Sequence, residues 1–405
     1  MSLRTVESAL QIFREHVKPV TDIQRVPVRD ALGAVLAEDV RSTLNVPPEN
    51  SSAMDGYAIN TGDLVPGQRT RLKVSQAVFA GYESQPFEPG TAVRIFTGGH
   101  VPVGANAVVM QEDCEVDGDT VLLPETVKPG NNVRLQGQDI KQDSVVLTRG
   151  QKLHPQHLGL LASVGVTEVA IYRRLKVAAL STGDELVDPG TELAPGQIYN
   201  SNRFIMAGLI ERLGFEFIDG GIVPDDLEIT KAKLSDAAAQ ADVVITSGGV
   251  SVGDADYVKP AVDELGRLDV WNMAMKPGKP VAFGHIAGTP FFGLPGNPVS
   301  VFVGFLVLIR PFLQTSQGMD WPEPLHWKIP ADFSRKRSGV RQEYLRVRMV
   351  QNAQGEPMLE SFHTQDSGVL RSTAFSDALA IVPPHTEVKP GDKLDTLLLD
   401  ELLNS

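Results

Sequence analysis

The sequence predicts a multidomain α/β protein, on three observations. The chain is too long for one core, its second half alternates strand, loop and helix, and much of its first half consists of short β-type runs. At 405 residues it exceeds what a single hydrophobic core usually supports. A hydrophobic content of 42% with 21% charged residues is that of an ordinary soluble globular protein. The net charge of −13 argues against nucleic-acid partners and anionic membranes, so an anionic substrate would need a locally basic pocket. Cys114 is the one cysteine, which excludes intramolecular disulfides and multi-cysteine metal sites and suits a reducing, cytoplasmic setting.

In chain order, MSLRTVESALQIFREHVKPV lacks the apolar stretch of a signal peptide. It places Val6, Leu10, Phe13 and Val17 at helical spacing, which predicts a packed amphipathic helix. Residues 3–22 and 175–323 are expected to form the doubly wound, mostly parallel α/β domain. Residues 23–43 and 141–174 are expected to form a small mixed connecting domain, where HPQHLGLLASVG has helical spacing. From 44 to 140, runs such as TAVRIFTGG and DTVLLPE are broken by Gly and Pro and predict a β-rich domain. From 175, KVAALSTGDEL, FEFIDGGIVPDD, ADVVITSGGVS and TPFFGLPGNPVS each end an apolar strand in Gly-rich or acidic residues. Helices such as NRFIMAGLIERLG, closed by Gly214, intervene. That alternation puts all four loops at one sheet edge, beyond the strands' carboxyl ends. VSVFVGFLVLI (299–309) falls short of the roughly 18 residues that cross a bilayer and reads as a buried helix. The prolines of PEPLHWKIP mark a boundary, and residues 324–405 are expected to form a C-terminal, barrel-like β domain.

The loops carry the chemistry. In VITSGGVSVGDADYVKP (244–260), Gly248, Gly249 and Gly253 bare the backbone and suit an anion. Asp254 and Asp256 would repel that anion unless a cation joins them, which suggests a phosphate-bearing ligand with magnesium. STGDEL adds Thr182, Asp184 and Glu185, and PDD adds Asp225 and Asp226; any one acidic loop alone is an ordinary solvated turn. GLPGNPVS starts a helix with Asn297 as N-cap and Pro298 at the first position. Neither a Walker loop nor a GxGxxG fingerprint is present. KPGKP offers Lys276 and Lys279 as point charges for an oxyanion, or is a surface loop. The basic residues of RKRSGVRQEYLRVR (335–348) are spaced as an exposed β face. His154 and His157 lack a third ligand type, and the acids around Cys114 disfavour a thiolate.

Taken together, SSAMDGYAI, RIFTGGHVPVGANAVVMQE, QGQDI, STGDEL, NSNR, ITSGGVSVGDADYVK, KPGKP and GLPGNPVS resemble the molybdopterin molybdenumtransferase (MoeA) family and the E domain of gephyrin. The motifs occur in order through nearly the whole chain. The resemblance implies an elongated four-part homodimer with an α/β domain of the molybdopterin-binding type. It also implies a magnesium-dependent transferase that cleaves adenylylated molybdopterin at its pyrophosphate, loads molybdate on the dithiolene and releases AMP. Transient contact with the molybdopterin adenylyltransferase is implied as well.

Carried over by position, Asp55, Thr97, Asp139 and Glu185 match catalytic residues. Glu185, Asp225 and Asp256 match the metal-facing acids. Gly248, Gly249, Ser251, Lys276, Lys279, Ser300, Arg346 and Ser367 match substrate-binding positions. Asp55, far along the chain from the loops, is expected to complete the site across the dimer. Three positions depart from the pattern: Gln138, Asn272, and Asp366, which puts a negative charge beside the anion pocket. A tungstate-loading enzyme or an unrelated phosphatase would share the acidic loops. A scaffold would be expected to carry extra partner-binding segments.

Overall fold

The computed structural model describes residues 3–250 and 256–404. It divides into two compact units: Arg25–Leu32 with Leu36–Ile171, and Met1–Gln24 with Gly33–Val35 and Tyr172–Ser405.

The first unit is built on a six-stranded sheet in the order Ala107–Met110, Gly56–Ile59, Thr91–Ile95, Arg71–Val78, Thr120–Leu122, Glu115–Asp117. Alternate side chains go to opposite faces. Tyr57 and Ile59 join Leu72 and Val121 in one apolar cluster, whereas Ala58 joins Val93, Ile95 and Val108 in another. Gly56 is dictated by this pairing, because a Cβ there would lie 1.9 Å from the Val109 carbonyl oxygen. The sequence segments 23–43 and 141–174 meet where Val40–Arg41 pairs with Val145–Leu147. His154 and His157 have a local job: His154 caps the helix Pro155–Ser163, and its backbone N–H donates to His157 Nδ1 at 3.1 Å.

The second unit holds the α/β sheet, in the order Glu216–Val223, Lys176–Thr182, Val243–Ser247, Thr289–Leu294, Ala282–Ile286, Gly266–Trp271. Its first four strands are parallel and the last two antiparallel. The carboxyl ends at Thr182, Val223, Ser247 and Leu294 therefore share one edge, as the alternating pattern predicts. Both faces are covered at two inner strands, so Val177–Thr182 and Val243–Ser247 are buried throughout, whereas the edge strand Glu216–Val223 keeps Glu216 and Asp219 exposed. Val177, Ala179 and Ile245 pack in one cluster with Val6, Ala9 and Phe13 of the N-terminal helix. Ala178, Leu180 and Val244 pack on the other face with Leu234, Ala237 and Val262. Leu10 and Val17 are partly buried against the first cluster. Helix Pro298–Ser316 is apolar and long enough to cross a membrane, but 89% of its most apolar window is buried. Phe312 there packs on Phe283 and Phe292, with ring centroids 5.8 and 5.1 Å away.

The same unit contains a C-terminal sheet in the order Met275–Lys276, Gln342–Gln351, Ala378–Val382, Lys393–Leu398, Trp327–Pro330. Pro357–Ser361 pairs outside that path with Gln342–Gln351. Met275 and Lys276 run parallel to Gln342 and Glu343, so the KPGKP loop is stitched to the C-terminal sheet. The exposed β face expected for RKRSGVRQEYLRVR is only partly there. Glu343 through Val347 are all buried, because both sides of this strand are covered, and Arg346 is 1% exposed.

Candidate functional site

A cavity of about 570 Å³ opens at the carboxyl edge of the α/β sheet. Glu185, Asp225, Gly248, Gly249 and Asp256 line it from the strand-end loops, Lys276 and Lys279 from KPGKP, and Ser300 from the helix start. Ser367, with Gln365 and Asp366, lines it from the C-terminal domain. Nine of the candidate site residues named from the sequence thus converge on the wall of one cavity. Ser251 lies outside the described residues.

The local reasons are specific. Gly248 and Gly249 adopt positive φ angles of 93° and 65°. A Cβ on Gly248 would meet the Thr182 carbonyl at 2.6 Å, and one on Gly249 would meet Val258 Cγ2 at 2.5 Å. The paired glycine is therefore required first by the close approach of neighbouring chain, and its backbone then faces the cavity. Asp225 and Asp184 bridge two loops, each accepting the other's backbone N–H, at 3.3 and 3.1 Å. Asp226 instead caps helix Leu227–Gln240, accepting from Ile229 N–H at 2.9 Å. Asn202 in NSNR is buried and donates to the Gly296 carbonyl at 2.7 Å, which holds the PGN turn in place. Asn297 sits at the N-cap position of the next helix without a side-chain capping bond, and Pro298 takes its first turn.

The oxygen-rich acids fit a hard cation. Among the described residues no group of three or more His, Cys, Asp or Glu is arranged to hold a metal ion. Magnesium does not require one, since it takes one or two carboxylates and completes its shell with water and phosphate oxygens. Thr182 Oγ1, on the cavity wall, is buried with no hydrogen-bond partner among the described residues. That orphaned group matches a ligand polar at this end.

Arg346 does not line the cavity. It lies behind the wall, where Nη2 donates to the Asp366 carbonyl at 3.3 Å, Nη1 to the Tyr344 carbonyl at 3.2 Å and Nε to Ser372 Oγ at 3.2 Å. Its backbone N–H donates to Gln365 Oε1 at 2.9 Å. Burial lowers its pKa to about 10, which leaves it charged at neutral pH. The guanidinium thus supports the 365–367 loop that does line the cavity. Arg346→Ala is expected to cost ~2–4 kcal/mol by leaving buried carbonyls unpaired and opening a void, measured as a fall in the urea midpoint. The Asp366 carboxylate is turned onto its own loop, accepting from Gly368 N–H at 2.8 Å.

Glu343, 4% exposed, receives Lys276 Nζ at 3.0 Å and Arg335 Nε at 2.6 Å. Burial raises its pKa, but Lys276 and Arg335 outweigh burial and hold it below the ordinary 4.5. Because the folded pKa is depressed, its stabilisation is present above the unfolded value and lost as pH falls through the folded one. The stability gap between wild type and Glu343→Gln is therefore expected to be level above about pH 5 and to shrink below it. Urea unfolding from pH 7 to 3.5 checks this.

Asp55, Thr97 and Asp139 lie in the β-rich unit. Asp55 Oδ1 accepts from both Thr97 N–H and Thr97 Oγ1 at 2.7 Å, and these two bonds hold its pKa low. SSAMDG and RIFTGGH are joined by Gly98 N–H on Ser52 O and Ser52 N–H on Gly99 O, both 2.9 Å. QGQDI folds back on the same approach segment, where Asp139 N–H meets Val46 O at 3.0 Å and Gln136 N–H meets Asn50 Oδ1 at 2.9 Å. Cys114 is no nucleophile, because burial first and Asp113 second push its thiol up to about 11.

Among the charged lining residues, Arg341 is the one that sequence reasoning did not assign to the site. Nothing in its local sequence sets it apart from Arg335 or Arg337.

A doubly wound sheet with acids, lysines and hydroxyls around a cleft at its carboxyl edge defines a class: α/β proteins that handle a phosphate-bearing or other oxyanionic ligand. Family models narrow this. Residues 4–165 match the MoeA N-terminal region (domain I and II), residues 178–315 a probable molybdopterin binding domain, and residues 328–399 the MoeA C-terminal region (domain IV). The chain is 41% identical over 382 residues to the molybdopterin molybdenumtransferase of Haemophilus influenzae, covering 93% of this chain and 94% of that one. It is 35% identical over 402 residues to molybdopterin molybdenumtransferase 2 of Mycobacterium tuberculosis, covering 95% and 98%. The crystal structure of the molybdopterin biosynthesis MoeA protein from Pyrococcus horikoshii OT3 superposes with a TM-score of 0.85 at 30% identity, covering 98% of this chain and all of that one. The chain belongs to the MoeA family.

Proposed function

We propose that this chain is a molybdopterin molybdenumtransferase, inserting molybdate into adenylylated molybdopterin with release of AMP. The observation that carries this reading is the single cleft that gathers both halves of the required chemistry. Acidic strand-end loops line it together with lysines and hydroxyls suited to a tetrahedral dianion. Lys276 and Lys279 hold molybdate as point charges, and Ser300 and Ser367 add neutral donors. Gly248 and Gly249 let the nucleotide approach the backbone. One or two of Glu185, Asp225 and Asp256 would hold a magnesium ion, which when bound supplies positive charge beside the pyrophosphate. Asp55, Thr97 and Asp139 act on the same substrate from the β-rich unit of a second copy, in a homodimer. The single cysteine favours a reducing, cytoplasmic setting, where adenylylated molybdopterin would pass directly from its adenylyltransferase.

The test is incubation of the chain with adenylylated molybdopterin, magnesium and molybdate, following AMP and active cofactor. Molybdate-dependent AMP release together with active cofactor is the expected result. Absence of both from folded protein overturns the reading.

A further inference from the structure

We propose that Arg341 is an oxyanion-binding residue of the cleft, supplying the guanidinium that the position of Arg346 withholds. This rests on the functional reading above and adds a residue to its anion pocket.

Charge around the cleft makes the case. Four acidic residues line it, Glu185, Asp225, Asp256 and Asp366, the last with its carboxylate turned onto its own loop, against three basic ones, Lys276, Lys279 and Arg341. Lys276 is partly committed elsewhere, because its ammonium lies 3.0 Å from buried Glu343. Arg346 spends its donors on two carbonyls and Ser372 behind the wall. Of the lining cations, Lys279 and Arg341 are the two that make no ion pair among the described residues. A dianion entering a protein of net charge −13 needs close cations rather than diffuse ones.

Arg341 is also positioned, not merely nearby. Parallel pairing of Met275 with Gln342 and Lys276 with Glu343 sets it beside the start of KPGKP. Gln342 N–H donates to the Ala274 carbonyl at 2.9 Å, which fixes the strand entry. Arg341 Nη1 reaches the Met275 carbonyl at 3.4 Å, so one arm rests on the loop that carries the lysines. Among the described residues Nη2 and Nε have no partner, and a planar fork of this kind suits two oxygens of one tetrahedral anion. The ligand class is a tetrahedral oxyanion, whose source is either molybdate or the nucleotide phosphate.

Calorimetric titration of the full chain with sodium molybdate, and separately with AMP, tests this in wild type, Arg341→Gln and Arg341→Lys. Arg337→Gln serves as the control; that side chain is exposed and donates to the His385 carbonyl. Arg341→Gln is expected to weaken one of the two anions on the order of ten- to a hundredfold, with Arg341→Lys between it and wild type and Arg337→Gln unchanged. Weakening of molybdate alone assigns the anion to the cargo, and weakening of AMP alone assigns it to the phosphate. If Arg341→Gln and Arg341→Lys, both with wild-type melting curves, bind both anions as wild type does, the proposal is overturned while the functional reading stands. If wild type binds neither anion and releases no AMP, the functional reading falls and the proposal with it.

Discussion

Asp225→Asn is expected to lower turnover by about a hundred- to a thousandfold, the scale on which a single electrostatic contact to a reacting group acts, with folding preserved. The argument uses the neighbouring acid as its own control. Asp225 and Asp226 are adjacent on one loop, and each substitution removes one negative charge from it. Only Asp225 lines the cleft, whereas the Asp226 carboxylate accepts the Ile229 N–H as a helix cap. Asparagine caps nearly as well as aspartate, so Asp226→Asn is expected to stay within a few-fold of wild type. Asp256→Asn, which also removes a cleft-lining acid, belongs with Asp225→Asn. Steady-state AMP release by the three variants decides the matter. Near-wild-type turnover in Asp225→Asn removes it from the site, and equal losses in Asp225→Asn and Asp226→Asn would mean that loop charge in general matters, not a placed carboxylate. Higher magnesium is expected to restore part of the Asp225→Asn loss if the asparagine weakens the cation without displacing the substrate.

The edge of the sheet on which this site sits was legible in the sequence for a physical reason. Strands buried on both faces read as unbroken apolar runs, and the residue that ends each run must turn, so STGDEL, PDD, SGG and GLPGNP advertise their position. Roles within those loops were less legible. Asp225 and Asp226 differ only in which of them precedes the helix by the right step. The glycines of SGG look like a ligand cradle, yet close packing on Thr182 and Val258 already demands them. Least legible was the C-terminal wall. Arg341, Glu343 and Arg346 look alike as charges within one strand-forming run. Their separate fates, into the cleft, onto Lys276 and behind the wall, depend on pairing with Met275–Lys276, 66 residues earlier for Arg341 and Met275. No local periodicity reports a register set over that distance, and burial of both faces erased the alternation that would have marked an exposed strand.

Mixing two inactive variants is expected to restore activity if the site is shared between copies. All residues lining the cleft belong to the unit that contains the α/β sheet, whereas Asp55, Thr97 and Asp139 belong to the β-rich unit. Asp55 is nonetheless built as a functional carboxylate: two donors from Thr97 converge on one oxygen and keep it ionised, although the side chain is not buried in a way that folding would require. In a two-fold dimer where the β-rich unit of one copy serves the cleft of the other, Asp55→Ala and Glu185→Ala each abolish both sites. A heterodimer of the two variants has one site with both residues intact and one with neither. Random exchange makes half of the dimers heterodimers, so about a quarter of wild-type activity is expected to return. Recovery should follow the subunit-exchange rate measured independently with tagged chains. Complete exchange with no recovery would place Asp55 and Glu185 in one copy's site or remove Asp55 from the chemistry, and the Asp55→Ala variant's affinity for AMP separates these: unchanged affinity with lost turnover keeps Asp55 in the reaction, within its own chain.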